Sequence, residues 1–154
     1  MSSQFVYVSY IRTTAEKLFE ALTKPEFTRQ YWAGTWQDST WEKGASWKIR
    51  KADGEIADSG EVLEIDPPRL LKVSWRNEFM PGLKEEGYSR CTFKIEDGAD
   101  CVKLTVSHES DVDGSVLIEK VSGGWPAILS SLKTLLETGD ALEQTKRWEK
   151  LDSK

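Results

Sequence analysis

A stretch near the C-terminal end of the chain, from Gly114 to Gly139, has the hydrophobic period of one long amphipathic helix. Its apolar residues recur at spacings of three and four and form one stripe: Ile118, Val121, Trp125, Ile128, Leu132 and Leu135, widened by Leu129 and Leu136. Gly139 is placed to end the helix, because glycine adopts the left-handed cap conformation without steric cost. A helix with such a face needs another surface to cover it. The remainder of the chain is therefore expected to supply that surface.

Two local features interrupt this helical pattern. Gly123 and Gly124 each cost about 1 kcal/mol relative to alanine in a helix, and Pro126 follows Trp125 directly. Such interruptions are typical of a kink, a close approach or a functional position. We therefore expect this part of the helix to lie beside a binding site, with the glycines affecting how the helix opens or approaches there.

Length and charge limit the class of protein. The chain has 154 residues and a formal net charge of −5, with lysines and arginines scattered among acids. One domain over residues 1–154 is expected, with a core of about 5–139 and a polar extension over 140–154. The extension is expected to be partly ordered, either as a short terminal helix or as a loose tail, and Trp148 is its candidate for docking on the body. A basic stripe for nucleic acid, an apolar run for membrane insertion and a signal peptide are not apparent, which favours a cytoplasmic protein.

The remaining pattern predicts an α+β protein. Residues 5–11 are expected to form a strand, after which Thr13 caps a first helix and Thr23 caps a second that starts around Pro25. From 35 to 109 the apolar residues alternate with polar ones, which indicates a half-buried antiparallel sheet. Residues 78–87 lack a period and are expected to form a loop.

The hairpin around Asp97-Gly98 fixes which side chains share a face. A tight turn would pair Cys91 with Leu104, and would place His108 on the same face of the sheet. The same register separates Cys91 from Cys101 by more than the limit of about 7 Å between Cα atoms in a disulfide. Both cysteines are expected to be unpaired, as in a reducing compartment.

Four segments in this order resemble one known superfamily. They are Thr14 to Glu26 with Tyr31-Trp32, Gly60 to Leu71 with Ser74-Trp75, Leu104 to Glu109, and Gly124-Trp125 with Ile128-Leu129 and Leu132-Lys133. Together with the order of helices and strands, they resemble the SRPBCC (START-like, helix-grip) superfamily, in its activator-of-heat-shock-ATPase-like branch and as a bacterial-type single-domain member. The resemblance covers approximately residues 5–139.

The resemblance implies a fold and a set of functions. The helix-grip fold is a curved antiparallel sheet of about seven strands around a long C-terminal helix, with two short helices after the first strand and a cavity between sheet and helix. Its members include lipid carriers, hormone-binding proteins, and polyketide cyclases and aromatases. Fold does not select among them. Chaperone activators of this type carry a separate N-terminal domain, for which this chain has no room.

Aromatic residues supply the candidate binding site. The sequence has seven tryptophans, which favours either a large aromatic core or an aromatic-lined cavity. The candidate ligand-binding residues are Trp32, Trp47, Trp75, Phe79, Phe93, His108, Trp125 and Leu129. If the aromatics serve packing alone, the interior space should be too small for an organic ligand.

Candidates for catalysis are few. His108 is the single histidine and the candidate acid or base, with a structural strand-end histidine bonded to a neighbouring carboxylate or backbone group as the alternative. No metal site is expected, because one histidine and two cysteines without ligand spacing do not make one. Five acidic residues have two interpretations, either a pair of carboxyls facing each other across a cavity or a solvated face, and the solvated face is preferred: Asp58, Glu61, Glu64, Glu85 and Glu86.

The sequence thus predicts a protein that binds a small hydrophobic or aromatic molecule, with no cofactor and no defined catalytic centre. An enzyme of the cyclase, aromatase or hydrolase kind that uses His108 is the alternative. A chaperone ATPase-activator-like interaction protein, with residues 78–87 as its contact surface, is the third. The expected oligomeric state is a monomer or weak homodimer.

Overall fold

The fold combines one sheet with a long helix, and a computed structural model describes it over residues 2–146. The strands are β1 Ser3–Ile11, β2 Trp36–Asp38, β3 Ser46–Arg50, β4 Ile56–Asp66, β5 Leu70–Asn77, β6 Ser89–Asp97 and β7 Val102–Ser110. The helices are α1 Ala15–Thr23, α2 Pro25–Tyr31, α3 Pro81–Glu85 and α4 Val116–Thr138, and a 3-10 turn follows at Glu143–Thr145. In the described part of the chain, no helix is long and apolar enough to cross a membrane.

The seven strands form one antiparallel sheet in the order β1-β7-β6-β5-β4-β3-β2. Its strands alternate between buried and more exposed residues, as expected for a sheet with one covered face. Helix α4 packs on that face, where its stripe joins the core with Trp125, Leu129 and Leu132. The predicted α+β helix-grip architecture is confirmed.

Both ends of α4 are capped, and the helix ends at Gly139 as the sequence indicates. The Ser115 hydroxyl accepts a hydrogen bond from the Ile118 backbone N–H at 3.1 Å, and Gly139 adopts a left-handed conformation with φ of 89°. Gly123, Gly124 and Pro126 all lie within the continuous helix. A Cβ atom on either glycine would meet no other atom within 4 Å, so neither glycine is there to allow a close approach.

The caps of the two short helices differ from prediction. Thr14, not Thr13, caps α1, and its hydroxyl accepts from the Lys17 backbone N–H at 3.2 Å. Lys24 occupies the cap position of α2, while the Thr23 hydroxyl donates to the Phe19 carbonyl within α1. The capping-box spacing identified the correct region, but each assignment was one residue early.

The register of the β6-β7 hairpin is also shifted. Cys91 lies opposite His108, not Leu104, because four residues (98–101) separate the strands instead of a two-residue turn. The shift is an even number of residues, so the predicted inward face is unchanged and His108 is buried on it. Cys91 and Cys101 are unpaired, as predicted.

Residues 78–87 are not a simple loop, because they contain the one-turn helix α3. Leu83 of α3 is buried and faces the sheet interior. The predicted docking of Trp148 falls outside the described residues.

Candidate functional site

A cavity of about 650 Å³ lies between the sheet and the first half of α4. Its walls come from the start of β4, the end of β5, the residue after α2, and α4. The remaining wall is residues 78–87, which contain α3 and are called the α3 segment below. The lining residues are Trp32, Asp58, Trp75, Asn77, Phe79, Met80, Leu83, Leu117, Lys120, Val121, Gly123, Gly124, Trp125, Ala127 and Ile128. Most of these side chains are apolar. The arrangement suits an apolar organic molecule that meets a few polar groups.

Three tryptophans form the inner wall. Trp32 follows α2, Trp75 lies near the end of β5 and Trp125 lies on α4, so three separate elements bring them together. Their ring centroids are 6.1 Å apart for Trp32 and Trp75, 5.7 Å for Trp75 and Trp125, and 5.2 Å for Trp32 and Trp125. These are the separations of interacting aromatic pairs.

Asp58 is a buried carboxyl on the same wall. It is 8% exposed, and its Oδ1 accepts a hydrogen bond from the Trp75 indole N–H at 3.0 Å. Burial raises the pKa of Asp58 to about 7, and the nearby Glu78 charge acts in the same direction. Hydrogen bonds from Trp75 and Asn77 and the charge of Lys51 partly oppose this increase in pKa.

The inward position of Asp58 corrects its assignment to a solvated face. A β-bulge places Ile49 opposite Asp58 and Arg50 opposite Ile56, so the two residues before Ser59 are both buried. The signal in the sequence is a period of two, since Asp58 lies four residues before the buried Val62. Residue type concealed that signal, because a carboxyl is rarely buried without a charged partner.

Asn77, the last residue of β5, lies at the rim of the cavity. Its side-chain oxygen accepts hydrogen bonds from the backbone N–H groups of Phe79 at 3.2 Å and Met80 at 2.9 Å, which starts the turn into α3. Glu78 binds the Ser59 hydroxyl at 2.6 Å and the Arg76 guanidinium at 2.7 Å. The α3 segment is therefore attached to β4 and β5 by side-chain bonds.

Glu86 attaches the other end of the same segment to α4. One carboxylate oxygen accepts from the Ser115 hydroxyl at 2.6 Å and the other from the Val116 backbone N–H at 2.9 Å. A carboxylate at a helix N-terminus is favoured by the partial positive charge there. The α3 segment thus spans the cavity between the sheet and α4.

The predicted ligand-binding residues separate into two groups. Trp32, Trp75, Phe79 and Trp125 line the cavity. Trp47, Phe93, His108 and Leu129 are buried in the core and do not line it. The sequence analysis did not select Asp58, Asn77 or the residues of α3 as ligand-binding residues.

His108 lies behind the tryptophans. It is fully buried, its Nδ1 accepts from the Trp125 indole N–H at 3.3 Å, and its Nε2 lies 2.8 Å from the Ser89 hydroxyl oxygen. The Ser89 hydroxyl in turn donates to the Trp75 carbonyl at 3.0 Å, so His108 Nε2 carries the proton. Burial lowers the pKa of His108 to about 3. This neutral, hydrogen-bonded imidazole has a structural role, although its partners are the Ser89 hydroxyl and the Trp125 indole and not the expected carboxylate or backbone group, and it does not line the cavity.

The open side of the cavity contains Lys120, Gly123 and Phe79, which are all exposed. The Lys51 ammonium lies 4.3 Å from the centroid of the Phe79 ring. Within residues 2–146 there is no group of three or more histidine, cysteine or acidic side chains arranged to hold a metal ion.

One family profile matches most of the chain. It is described as Activator of Hsp90 ATPase homolog 1-like protein, and the match runs over residues 12–137. No curated protein matches the sequence significantly.

Several solved structures share the fold. CalU16 from Micromonospora echinospora aligns over 99% of this chain and 85% of its own, with a TM-score of 0.72 and 16% identity. Protein MLL2253 from Mesorhizobium loti aligns over 90% and 99%, with a TM-score of 0.74 and 23% identity. Aha1 from Colwellia psychrerythraea, solved as a dimer, aligns over 89% and 98%, with a TM-score of 0.72 and 17% identity. At these identities the likeness concerns the fold.

Proposed function

The chain belongs to the family of Activator of Hsp90 ATPase homolog 1-like proteins, and from this premise we propose that it binds a small apolar or aromatic molecule between its sheet and α4. The observation that carries the proposal is the cavity of about 650 Å³. Ligand sites are typically about 300–1,000 Å³ and mostly apolar, with a few polar groups for orientation. A core that served packing alone would have only voids close to the size of a water molecule.

The aromatic wall favours a ligand with a flat or unsaturated body. Trp32, Trp75 and Trp125 supply indole surface, and Ile128 and Val121 supply aliphatic surface. Each apolar group of the ligand that leaves water contributes about 25 cal/mol per Å² of buried area. Asp58 and Asn77 are the polar groups that would orient the molecule.

Tryptophan fluorescence tests this function. Titration with a library of lipids, aromatics and polyketide-like compounds should change the emission of the three cavity tryptophans and should saturate. Ala127→Phe fills the cavity from α4 and should abolish the response, while Glu119→Phe on the exposed side of the same helix should retain it. A flat response throughout the library would contradict the proposal.

Chaperone activation is a second candidate, and the family description favours it. Its contact surface would be the α3 segment, which leaves Pro81, Lys84 and Glu85 exposed. A pull-down with an Hsp90-type chaperone at low salt should then retain the protein. Absence of a complex, together with a positive ligand titration, would leave ligand binding as the function.

The cavity does not favour the enzyme alternative that uses His108, because His108 is buried away from it. We place the protein in the cytoplasm as a single domain and a monomer or weak homodimer, and the two unpaired cysteines agree with a reducing compartment. Light scattering over a concentration series measures the oligomeric state directly. A stable higher oligomer would contradict that part of the proposal.

A further inference from the structure

The cavity has one ionisable acceptor on its inner wall, and the position of that acceptor is informative. Asp58 lines the cavity beside Trp75, and its Oδ1 holds the Trp75 indole at 3.0 Å. Burying a carboxyl beside indole rings costs free energy unless something compensates for its charge. Within the described residues, the Trp75 hydrogen bond, the neighbouring Asn77 amide and the charge of Lys51 compensate in part.

The indole hydrogen bond alone does not require a carboxyl. Two other buried tryptophans have the same need and meet it with neutral groups. The Trp47 N–H donates to the Gln37 side-chain oxygen at 2.7 Å, and the Trp125 N–H donates to His108 at 3.3 Å. Gln37 and His108 do not line the cavity. The acceptor that can carry a negative charge is thus the one that faces the ligand space.

We propose that Asp58 is the polar anchor of the cavity and that it selects an apolar or aromatic ligand carrying a protonated amine. This proposal rests on the ligand-binding function proposed above and names the class of ligand. An ionised carboxyl has about four lone-pair sites, and the Trp75 indole N–H occupies one of them. The remaining sites accept hydrogen bonds from an ammonium group.

The surrounding rings favour the same chemistry. A cation within about 6 Å of an indole face is attracted by the negative charge density of the ring, most strongly where water is excluded. Trp32, Trp75 and Trp125 surround the inner end of the cavity. An ammonium on Asp58 would therefore lie beside the Trp75 indole, in a cavity that Trp32 and Trp125 also line, and would add a positive charge next to the buried carboxylate.

Three other charged groups face this region. Glu78 raises the pKa of Asp58 and Lys51 lowers it, while Lys120 lines the open side and is exposed to water, where its charge is screened. Because the pKa of Asp58 is about 7, the carboxylate form predominates above neutral pH. An alkylamine stays protonated to about pH 10, as lysine does. Amine binding should therefore strengthen as the pH rises through 7.

Two ligands of equal shape separate this proposal from the binding function itself. They are 2-(aminomethyl)naphthalene, which carries the ammonium, and 2-ethylnaphthalene, in which a methyl group replaces it. Isothermal titration calorimetry at pH 8 should show binding of both, with the amine bound about tenfold more tightly or better, as a charge-assisted contact predicts. The corresponding alcohol, 2-naphthylmethanol, should lie between them.

Asp58→Asn is the matching variant, because asparagine keeps the shape and still accepts from Trp75. It should remove most of the amine's preference over the hydrocarbon, because the charged acceptor is lost while the shape of the side chain is kept. In the wild-type protein, amine affinity should rise about tenfold between about pH 6 and about pH 8, and in the variant it should stay constant. A thermal unfolding curve confirms that the variant is folded.

The outcomes are distinguishable. Hydrocarbon binding without preference for the amine, or an equal loss of both ligands in Asp58→Asn, would overturn the role of Asp58 and leave the binding function intact. Absence of binding by all three ligands would count against both proposals. If Asp58→Asn does not fold, the pH dependence of amine binding by the wild-type protein still decides the role of Asp58.

Discussion

At the residue scale, two buried titratable groups in contact with Trp75 make stability depend on pH in opposite directions. The His108 ring centroid lies 4.9 Å from that of Trp75, and Asp58 accepts the Trp75 indole N–H. The native state lowers the pKa of His108 to about 3, from 6.5, and raises that of Asp58 to about 7, from 3.8. Each shift disfavours the charged form of the group, because each group is buried.

The signs follow from proton binding. Between pH 3 and 6.5 the unfolded chain binds a proton at His108 that the native state does not, so this contribution to stability grows as pH rises. Between pH 3.8 and 7 the native state holds a proton at Asp58 that the unfolded chain has released, so this contribution decreases as pH rises. Over the shared window the two effects largely cancel.

Single substitutions should expose each effect. From about pH 5 to about pH 6.5 the free energy of unfolding of the wild-type protein should change little, that of Asp58→Asn should rise by about 2 kcal/mol, and that of His108→Gln should fall by about 2 kcal/mol. Urea unfolding at several pH values measures all three. Parallel pH curves for the two variants would show that these groups do not titrate as their environments indicate.

At the element scale, strands β4 and β5 approach closely at one glycine. A Cβ atom on Gly60 would lie 1.8 Å from the Ser74 carbonyl oxygen, well inside van der Waals contact. Trp47 of β3 lies opposite Gly60 on the other side of β4, so the strand cannot move away freely. The position therefore requires glycine.

Gly60→Ala should destabilise the sheet by about 3 kcal/mol or more, as forced overpacking does. Gly82→Ala is the matched control, because a Cβ atom there meets no other atom within 4 Å and the residue lies in α3. Denaturant midpoints should differ clearly between the two variants. Equal midpoints would mean that β4 and β5 separate at little cost.

The glycine pair of α4 should behave differently from Gly60. Alanine at Gly123 and Gly124 meets no other atom within 4 Å and gains about 1 kcal/mol of helix propensity per site. Both residues line the cavity, so the added methyl groups reduce its volume. The double variant should be more stable and should bind ligands less tightly, whereas Ser130→Ala, outside the cavity, should leave binding unchanged. Unchanged ligand affinity in the double variant would show that the pair has no role in binding.

Prediction from sequence succeeded where a pattern repeats and failed where a single residue breaks it. The stripe of α4 and its cap at Gly139 were predictable, because an amphipathic period and cap chemistry are local. The β6-β7 face was predicted despite a wrong register, since an error of four residues preserves the alternation. Asp58 was missed although the alternation counted back from Val62 places it inward, because a carboxyl is rarely buried and was assigned to the surface by its type.

At the scale of the whole molecule, the cavity closes through contacts distant in sequence. The α3 segment is held to the sheet at Asn77 and to α4 at Glu86, which binds Ser115 and Val116. These contacts could not be predicted, because Glu86 has the appearance of any exposed acid in a polar segment. The aromatic residues of the site were predicted in part. Their size and apolar character predict that they are buried, but do not indicate whether each one lines the cavity or lies in the core behind it.

Glu86→Gln should weaken the attachment of α3 to α4. The loss of a charge-assisted cap should cost about 1 kcal/mol of stability. It should also increase amide hydrogen exchange in α3 and speed ligand association and dissociation together, leaving the affinity nearly unchanged. Glu85→Gln, at an exposed neighbour, is the control. Identical exchange in the two variants would show that the Glu86 contacts do not restrain the segment.

Three of the tryptophan side chains give the molecule internal spectroscopic labels. The indole N–H groups of Trp47, Trp75 and Trp125 donate to an amide oxygen, a carboxyl oxygen and an imidazole nitrogen respectively. Three chemically different acceptors should give three separated indole resonances in a nitrogen-15 spectrum. During a ligand titration, these resonances would report separately on the core at Trp47, the cavity wall at Trp75 and the helix at Trp125. The resonances that shift would show which of these regions the ligand perturbs.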